Sequence, residues 1–195
     1  MKPSDHPDFY RRPPPDGRSR ESTIRLDASG RFWHDGAPVE HPGLIGAFRR
    51  WICRHPDDRR YILTNGYDWT YFTVDDAPFA VEHLRIEVDR IVIGLNDGTE
   101  EAWDPRGSRI GPGGALYAVV KRNVSGGPYE ARFTRHAQTS LAPALVETGH
   151  LAAQWAPGDW PTGEQAAGEG GVAVRVGDRI FVIDCESNGR QKSVL

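Results

Sequence analysis

Apolar and polar residues alternate along most of this chain, and the breaks in the alternation mark its turns and helices. TIRLD (Thr23 to Asp27) and RFWH (Arg31 to His34) alternate, and Asp35-Gly36 supplies the positive φ that a two-residue hairpin turn demands. Leu44, Ala47, Phe48, Trp51 and Ile52 then fall on one face of a 3.6-residue period, which predicts an amphipathic helix over Gly43 to Arg54. Pro42 suits its first turn, Pro56 stops it, and Arg49, Arg50 and Arg54 form its wet side. Strands follow at Tyr61 to Thr64 and Trp69 to Val74. A β-meander then runs from Val81 to Trp103 and turns at Asp97-Gly98. After a loop (Asp104 to Gly114), strands are expected at Leu116 to Lys121 and Tyr129 to Thr134, with a second helix from Ser140 to about Gly149. GVAVRVGDRIFVID forms a last hairpin at Gly177-Asp178.

The landmarks of the first unit recur. Gly36 and Phe72, of the first Asp-Gly and Phe-Thr pairs, are 36 positions apart, and Gly98 and Phe133, of the second, are 35 apart. A recurrent spacing implies duplicated units. The expected fold class is therefore α+β: one domain of two related β-rich units with antiparallel sheets and at most one packed helix each. The boundaries read as a disordered tail (1–22), a first unit (23–83), a second unit (84–154), a Gly/Pro-rich linker (155–170), a hairpin (171–184) and a tail (185–195).

Composition narrows the function classes. With 38% hydrophobic and 26% charged residues, the chain resembles an ordinary soluble globular protein, and 22 glycines with 15 prolines fit many short elements. A net charge of −3 argues against general nucleic-acid or anionic-membrane binding. No apolar run approaches the length of a membrane span, and Met1 to Ser22 lacks the apolar core of a secretory signal, so a cytoplasmic location is expected. Cys53 and Cys185 form neither a disulfide framework nor a zinc motif. None of the seven histidines has close metal-ligand spacing, and the residues name no cofactor.

Candidate chemistry is sparse. Trp33, Tyr61 and Trp69 are candidates to stack on a planar ligand, and His34 stands beside Trp33 at a hairpin tip. Asp75 and Asp76 end a strand as a possible acid/base or Mg²⁺ pair, but adjacent strand residues face opposite ways, so Asp76 reads first as a turn-shaping carboxylate. Arg132 and Arg135, with Lys121 or Arg122, are candidates for an anion clamp, against the alternative of a solvated sheet edge. The glycine-rich stretches lead into strands, so they are turns and not phosphate loops.

GRFWHDGAPVEHPGLIGAFRRWICR, YILT, FTVDDAPF, YEARFTR and RVGDRIFVID, in this order, resemble the uncharacterised bacterial domain-of-unknown-function family 1285. The similarity covers about Ile24 to Asp184. The chain departs from the family's pattern at Asn65, where a proline is usual, and at His136-Ala137, where Arg135 is usually followed by Pro-Val. The resemblance implies a duplicated α+β core, a second half similar to pleckstrin-homology-like folds, and a nucleotide-like ligand held between the halves in a signalling role. The leading expectation is thus a non-catalytic ligand-binding or regulatory protein for a small anionic molecule, using Trp33, His34, Tyr61, Trp69, Asp76, Lys121, Arg132 and Arg135. The alternatives are a small metal-assisted hydrolase using Asp75 or Asp76 with His34, and a protein-interaction module using Pro13 to Pro15. Oligomeric state is left open.

Overall fold

The computed structural model of the protein describes residues 2–14, 17–146 and 171–184. The expected linker, the final tail with Cys185, and the end of the expected second helix lie outside the described residues. The chain divides into two compact units: Met1–Ala80 with Asn96–Thr99 and Val120–Ala131, and Val81–Leu95 with Glu100–Val119 and Arg132–Leu195.

In the first unit, β1 (Arg25–Leu26), β2 (Phe32–His34) and β3 (Ala37–Pro38) form an antiparallel meander, and β1 pairs in parallel with β7 (Thr73–Val74). The β2–β3 turn is the expected one, with Asp35 at φ 49° and Gly36 at φ 76°. Helix α1 spans Pro42–Trp51, starting one residue before the expected Gly43 and ending three before the expected Arg54. Ile52 leaves helical geometry, and β4 (Ile52–Arg54) pairs with β5 (Tyr61–Thr64), which pairs with β6 (Trp69–Tyr71). The β-branched Ile52 and the partner strand win over a continued helix. Phe48 is the buried residue of α1, stacked edge-on against Phe32 at 5.2 Å, whereas Leu44 stays exposed.

The sheet that supplies most of the second unit has the order β10 (Glu100–Ala102), β9 (Ile91–Leu95), β8 (Phe79–Ile86), β13 (Tyr129–Phe133), β12 (Leu116–Val120), β11 (Arg109–Ile110). Ile91, Ile93 and Leu95 line its buried face. The second helix is a correction: α2 is Arg135–Ser140, capped by the Thr134 hydroxyl, which accepts the Ala137 N–H at 3.2 Å. Pro143 sits instead in a single 3-10 turn, Ala142–Ala144. A small sheet of β14 (Leu145–Val146), β15 (Val172–Val176) and β16 (Arg179–Ile183) completes the described chain, and the expected turn at Gly177-Asp178 is present.

One sheet order occurs twice. Phe72 N–H donates to Tyr61 O at 3.2 Å and Thr73 N–H to Ile24 O at 3.1 Å, so the strand through Phe72 has β5 and β4 on one side and β1, β2 and β3 on the other. The Phe133 strand has β12 and β11 on one side and β8, β9 and β10 on the other. Thr134 N–H donates to Val81 O at 2.9 Å, the counterpart of the Thr73 bond. The Phe-Thr landmark thus marks the same strand in both copies. Each copy begins one strand earlier than the hairpin, at β1 and at β8.

The N-terminal residues depart from expectation. Residues 2–14 pack on the first unit through two 3-10 turns, Pro3–Asp5 and Phe9–Arg11, and Phe9 is 5% exposed in a cluster with Ile62 and Trp69. Proline and charge content suggested a segment with nothing to bury, but Phe9 and Tyr10 supply enough apolar surface to anchor it.

Candidate functional site

Several arginine side chains among the described residues lie over aromatic rings. The Arg25 guanidinium lies 5.9 Å from the Trp33 ring, Arg20 4.5 Å from Trp69, Arg60 3.8 Å from Tyr71 and Arg109 3.9 Å from Tyr117. These faces already hold a cation, which competes with a ligand for the same ring. Most of these arginines also hold a carboxylate: Arg25 bridges to Asp75 at 3.0 Å, Arg60 to Glu21 at 2.7 Å, and Arg20 to Asp68.

Arg54 is different. It ends β4, half-buried, with its guanidinium carbon 4.9 Å from the Tyr61 ring and 5.6 Å from Tyr129. One terminal nitrogen donates to the Tyr61 hydroxyl at 3.0 Å. Its Nε is buried with no hydrogen-bond partner, a state shared by Arg20 and Arg49. Arg20 is charge-paired with Asp68, and Arg49 donates to Asn96 O at 3.4 Å. Among the described residues Arg54 meets no carboxylate within ion-pair distance. A desolvated charge without a counter-charge costs stability, and such a group in a native fold calls for a partner.

The loop before β13 completes this surround. Gly126 has φ +82°, and a Cβ there would lie 2.5 Å from the Tyr129 hydroxyl, 3.0 Å from Arg54 N and 3.1 Å from Cys53 Sγ. Only glycine lets the loop come this close to β4. Arg59 holds the loop by donating to Gly126 O at 3.0 Å and Gly127 O at 3.1 Å. Tyr129 donates to Ser125 O at 3.2 Å. Burial, followed by the neighbouring Cys53, pushes the Tyr129 phenol well above its ordinary value, against a smaller opposing pull from Arg54. It therefore remains a neutral hydroxyl at physiological pH. Chemically, the cluster offers one fixed guanidinium between two phenols, suited to a carboxylate or phosphate oxygen.

The residues expected from the sequence have mixed fates. Tyr61 belongs to the Arg54 cluster. Trp69 does not serve as an open platform, being 6% exposed and packed against Phe9 and Ile62. Trp33 donates its indole N–H to Asp27 at 2.7 Å, and exposed His34 lies 3.6 Å from Asp35. Asp75 is engaged by Arg25, and among the described residues no group of three or more His, Cys, Asp or Glu could hold a metal. Asp76 is half-buried between β7 and Pro78. Lys121 is committed to Asp97, at 2.8 Å in a pair only 11% and 6% exposed, which removes it from an anion clamp. Arg132 and Arg135 belong to the second unit: Arg132 lies 6.0 Å from the Tyr117 ring, and exposed Arg135 opens α2. Among the described residues no helix is long and apolar enough to cross a membrane.

No family model matches the chain, and no curated protein matches it. Among solved structures, the fold resembles the crystal structure of a DUF1285 family protein from Silicibacter pomeroyi DSS-3, with a TM-score of 0.57 over 84% of this chain and 81% of that one, at 16% identity. The chain has the fold of a DUF1285 family protein. A second such protein, from Shewanella baltica OS155, matches with a TM-score of 0.49 and 15% identity, over 64% of this chain and 94% of that one. The DUF1285-like fold leaves the chemistry to be argued from the site itself.

Sequence reading missed Arg54 because its place in the helical period put it with Arg49 and Arg50. The early end of α1 turns it from a helix surface to a strand end. The three residues between Ile52 and the Pro56 stop were the available signal, being too few for another helical turn.

Proposed function

We propose that this protein is a non-catalytic ligand-binding protein that takes a small anion, of carboxylate or phosphate type, at Arg54. The observation that supports the reading is the half-buried Arg54 guanidinium held between Tyr61 and Tyr129 with no carboxylate partner among the described residues. A bound anion supplies the missing counter-charge, the Tyr61 hydroxyl, which accepts from Arg54, keeps its own proton to donate, and both tyrosine rings offer surface. A nucleotide-like ligand fits this chemistry through its phosphate, and regulation or signalling in the cytoplasm follows as the role of a binder without a reaction. The hydrolase alternative is disfavoured by the engagement of Asp75 with Arg25. The test is a melting-temperature screen of the full chain against phosphate, pyrophosphate, nucleoside monophosphates and dicarboxylates. A binder raises stability by RT ln(1 + [L]/Kd), so a saturable upward shift is expected for one of these anions. No shift from any of them overturns the proposal.

A further inference from the structure

The N-terminal residues sit on the first unit in the way a peptide ligand sits on a receptor. They join no strand. Ser4 N–H donates to Gly66 O at 3.0 Å, and His55 Nε2 donates to the Tyr10 carbonyl at 3.2 Å. Phe9 enters the cluster with Ile62 and Trp69, and Tyr10 packs edge-on to Phe9 at 4.9 Å and to His55 at 6.0 Å. Arg11 forks onto Asp57, with bonds of 3.0 and 2.7 Å. Pro13, Pro14 and Pro15 follow in sequence, and continuous bonding to the sheet begins only where Arg20 O accepts the Tyr71 N–H at 2.7 Å.

The surface beneath is built independently of this segment. His55, 7% exposed, sits between Trp69 at 5.0 Å and Tyr71 at 5.7 Å, and its Nδ1 lies 3.4 Å from Asp58. Tyr71 donates to the same Asp58 carboxylate at 2.8 Å. The Asp57 N–H donates to Nδ1 at 3.4 Å, which leaves the ring proton on Nε2, facing the backbone carbonyl that crosses it. An apolar aromatic floor, an oriented donor for a carbonyl and an acidic rim at Asp57 together match one kind of occupant, an aromatic pair followed by arginine.

We infer that the Ile62–Trp69–His55 face is a docking site for an aromatic–basic segment of a partner protein, with Phe9-Tyr10-Arg11 as its resident occupant. The occupant's chemistry is read from the seated segment and from the complementary charge of Asp57. A segment that joins no strand, held by one buried aromatic, two hydrogen bonds to its backbone and an exposed ion pair, is a competitor that a partner can displace.

The experiment uses full-length chain and a fluorescein-labelled peptide with the sequence of residues 3–12. Fluorescence anisotropy is recorded for the wild type, for Phe9→Ala and for Arg11→Glu. The peptide is expected to bind both variants at least about tenfold more tightly than the wild type, because the resident segment competes less. Adding Asp57→Arg to Phe9→Ala is expected to undo most of that gain, and a peptide with alanine at both aromatic positions is expected not to bind. Equal affinity for all three chains, or none for folded Arg11→Glu, overturns the inference. Arg11→Glu leaves the apolar cluster intact, so it decides the matter if Phe9→Ala does not fold. If sedimentation shows instead that the unmodified chain dimerises by exchanging this segment, the occupant is a second copy, and the partner assignment is overturned.

Discussion

Replacing Phe9 with alanine measures how far the N-terminal residues belong to the fold. Phe9 is 5% exposed, against Ile62 at 0% and Trp69 at 6%. Burying a phenylalanine side chain contributes about 1.5–3 kcal/mol. Its edge-on contact with Tyr10 at 4.9 Å and 79° adds about 0.5–1.5 kcal/mol. A cost of about 2–4 kcal/mol would follow if the segment stayed in place. The segment joins no strand, however, so it can detach as a unit, and the cost cannot exceed the free energy with which it docks. Urea unfolding of the wild type, Phe9→Ala, Arg11→Ala and the double variant separates the two cases. The expected result is a loss of about 2 kcal/mol or more for Phe9→Ala, with Arg11→Ala costing stability in the wild type and nothing further in the Phe9→Ala background. A Phe9→Ala loss below about 0.5 kcal/mol, within the range of ordinary surface substitutions, would refute the packing argument. Strict additivity of the two substitutions would refute the detachment argument.

Other residues make independent claims. Lys121→Met leaves the Asp97 carboxylate buried beside Thr99 without its ammonium partner, and a loss of about 3–5 kcal/mol in urea unfolding is expected. A loss under about 1 kcal/mol would mean that Asp97 finds another counter-charge. Burial raises the Asp27 carboxyl, but hydrogen bonds from Ser29, Arg31 and Trp33 more than reverse this and hold it well below the usual carboxylate range. A depressed folded pKa gives stability that is present above the unfolded value of about 3.9 and lost as pH falls towards the folded one. Asp27→Asn should therefore be less stable than the wild type at pH 7 and lose less on acidification below pH 4, and parallel stability–pH curves would contradict this. Burial, then the hydrogen bond to Asp58, pushes the Tyr71 phenol up to about 12, so its contribution is full below about pH 10 and lost as pH rises to that value. Ultraviolet titration of Tyr71→Phe against the wild type should remove a late-ionising tyrosine, and an unchanged late phase would contradict the assignment.

The sequence carried the local rules well and the tertiary ones poorly. The Asp35-Gly36 turn was legible because its backbone needs positive φ at both residues, and the Phe-Thr landmark was legible because both copies place it on the same central strand. The Arg54 site was not, since periodicity cannot say whether a helix yields to a strand four residues before a proline. Trp69 was read as a ligand platform because alternation leaves open which aromatic of Trp69 and Tyr71 is covered. The answer depends on Phe9, sixty residues upstream. Likewise the α2 start rests on Thr134, a lone capping hydroxyl without the glutamate three residues on that completes a capping box. The composition of residues 1–22 concealed their anchoring, because two aromatics weigh little in an average yet suffice to pin a short segment.

The central claim is that Arg54 binds an anion. Isothermal titration of phosphate, pyrophosphate and AMP into the wild type, Arg54→Lys and Tyr61→Phe tests it most directly. Lysine keeps the charge but loses the fork that pairs two nitrogens with one anion. The account predicts saturable binding of at least one of these anions by the wild type, weakened by about tenfold or more in folded Arg54→Lys. Wild-type binding that Arg54→Lys retains in full, or no binding of any of the three by the wild type, would contradict it.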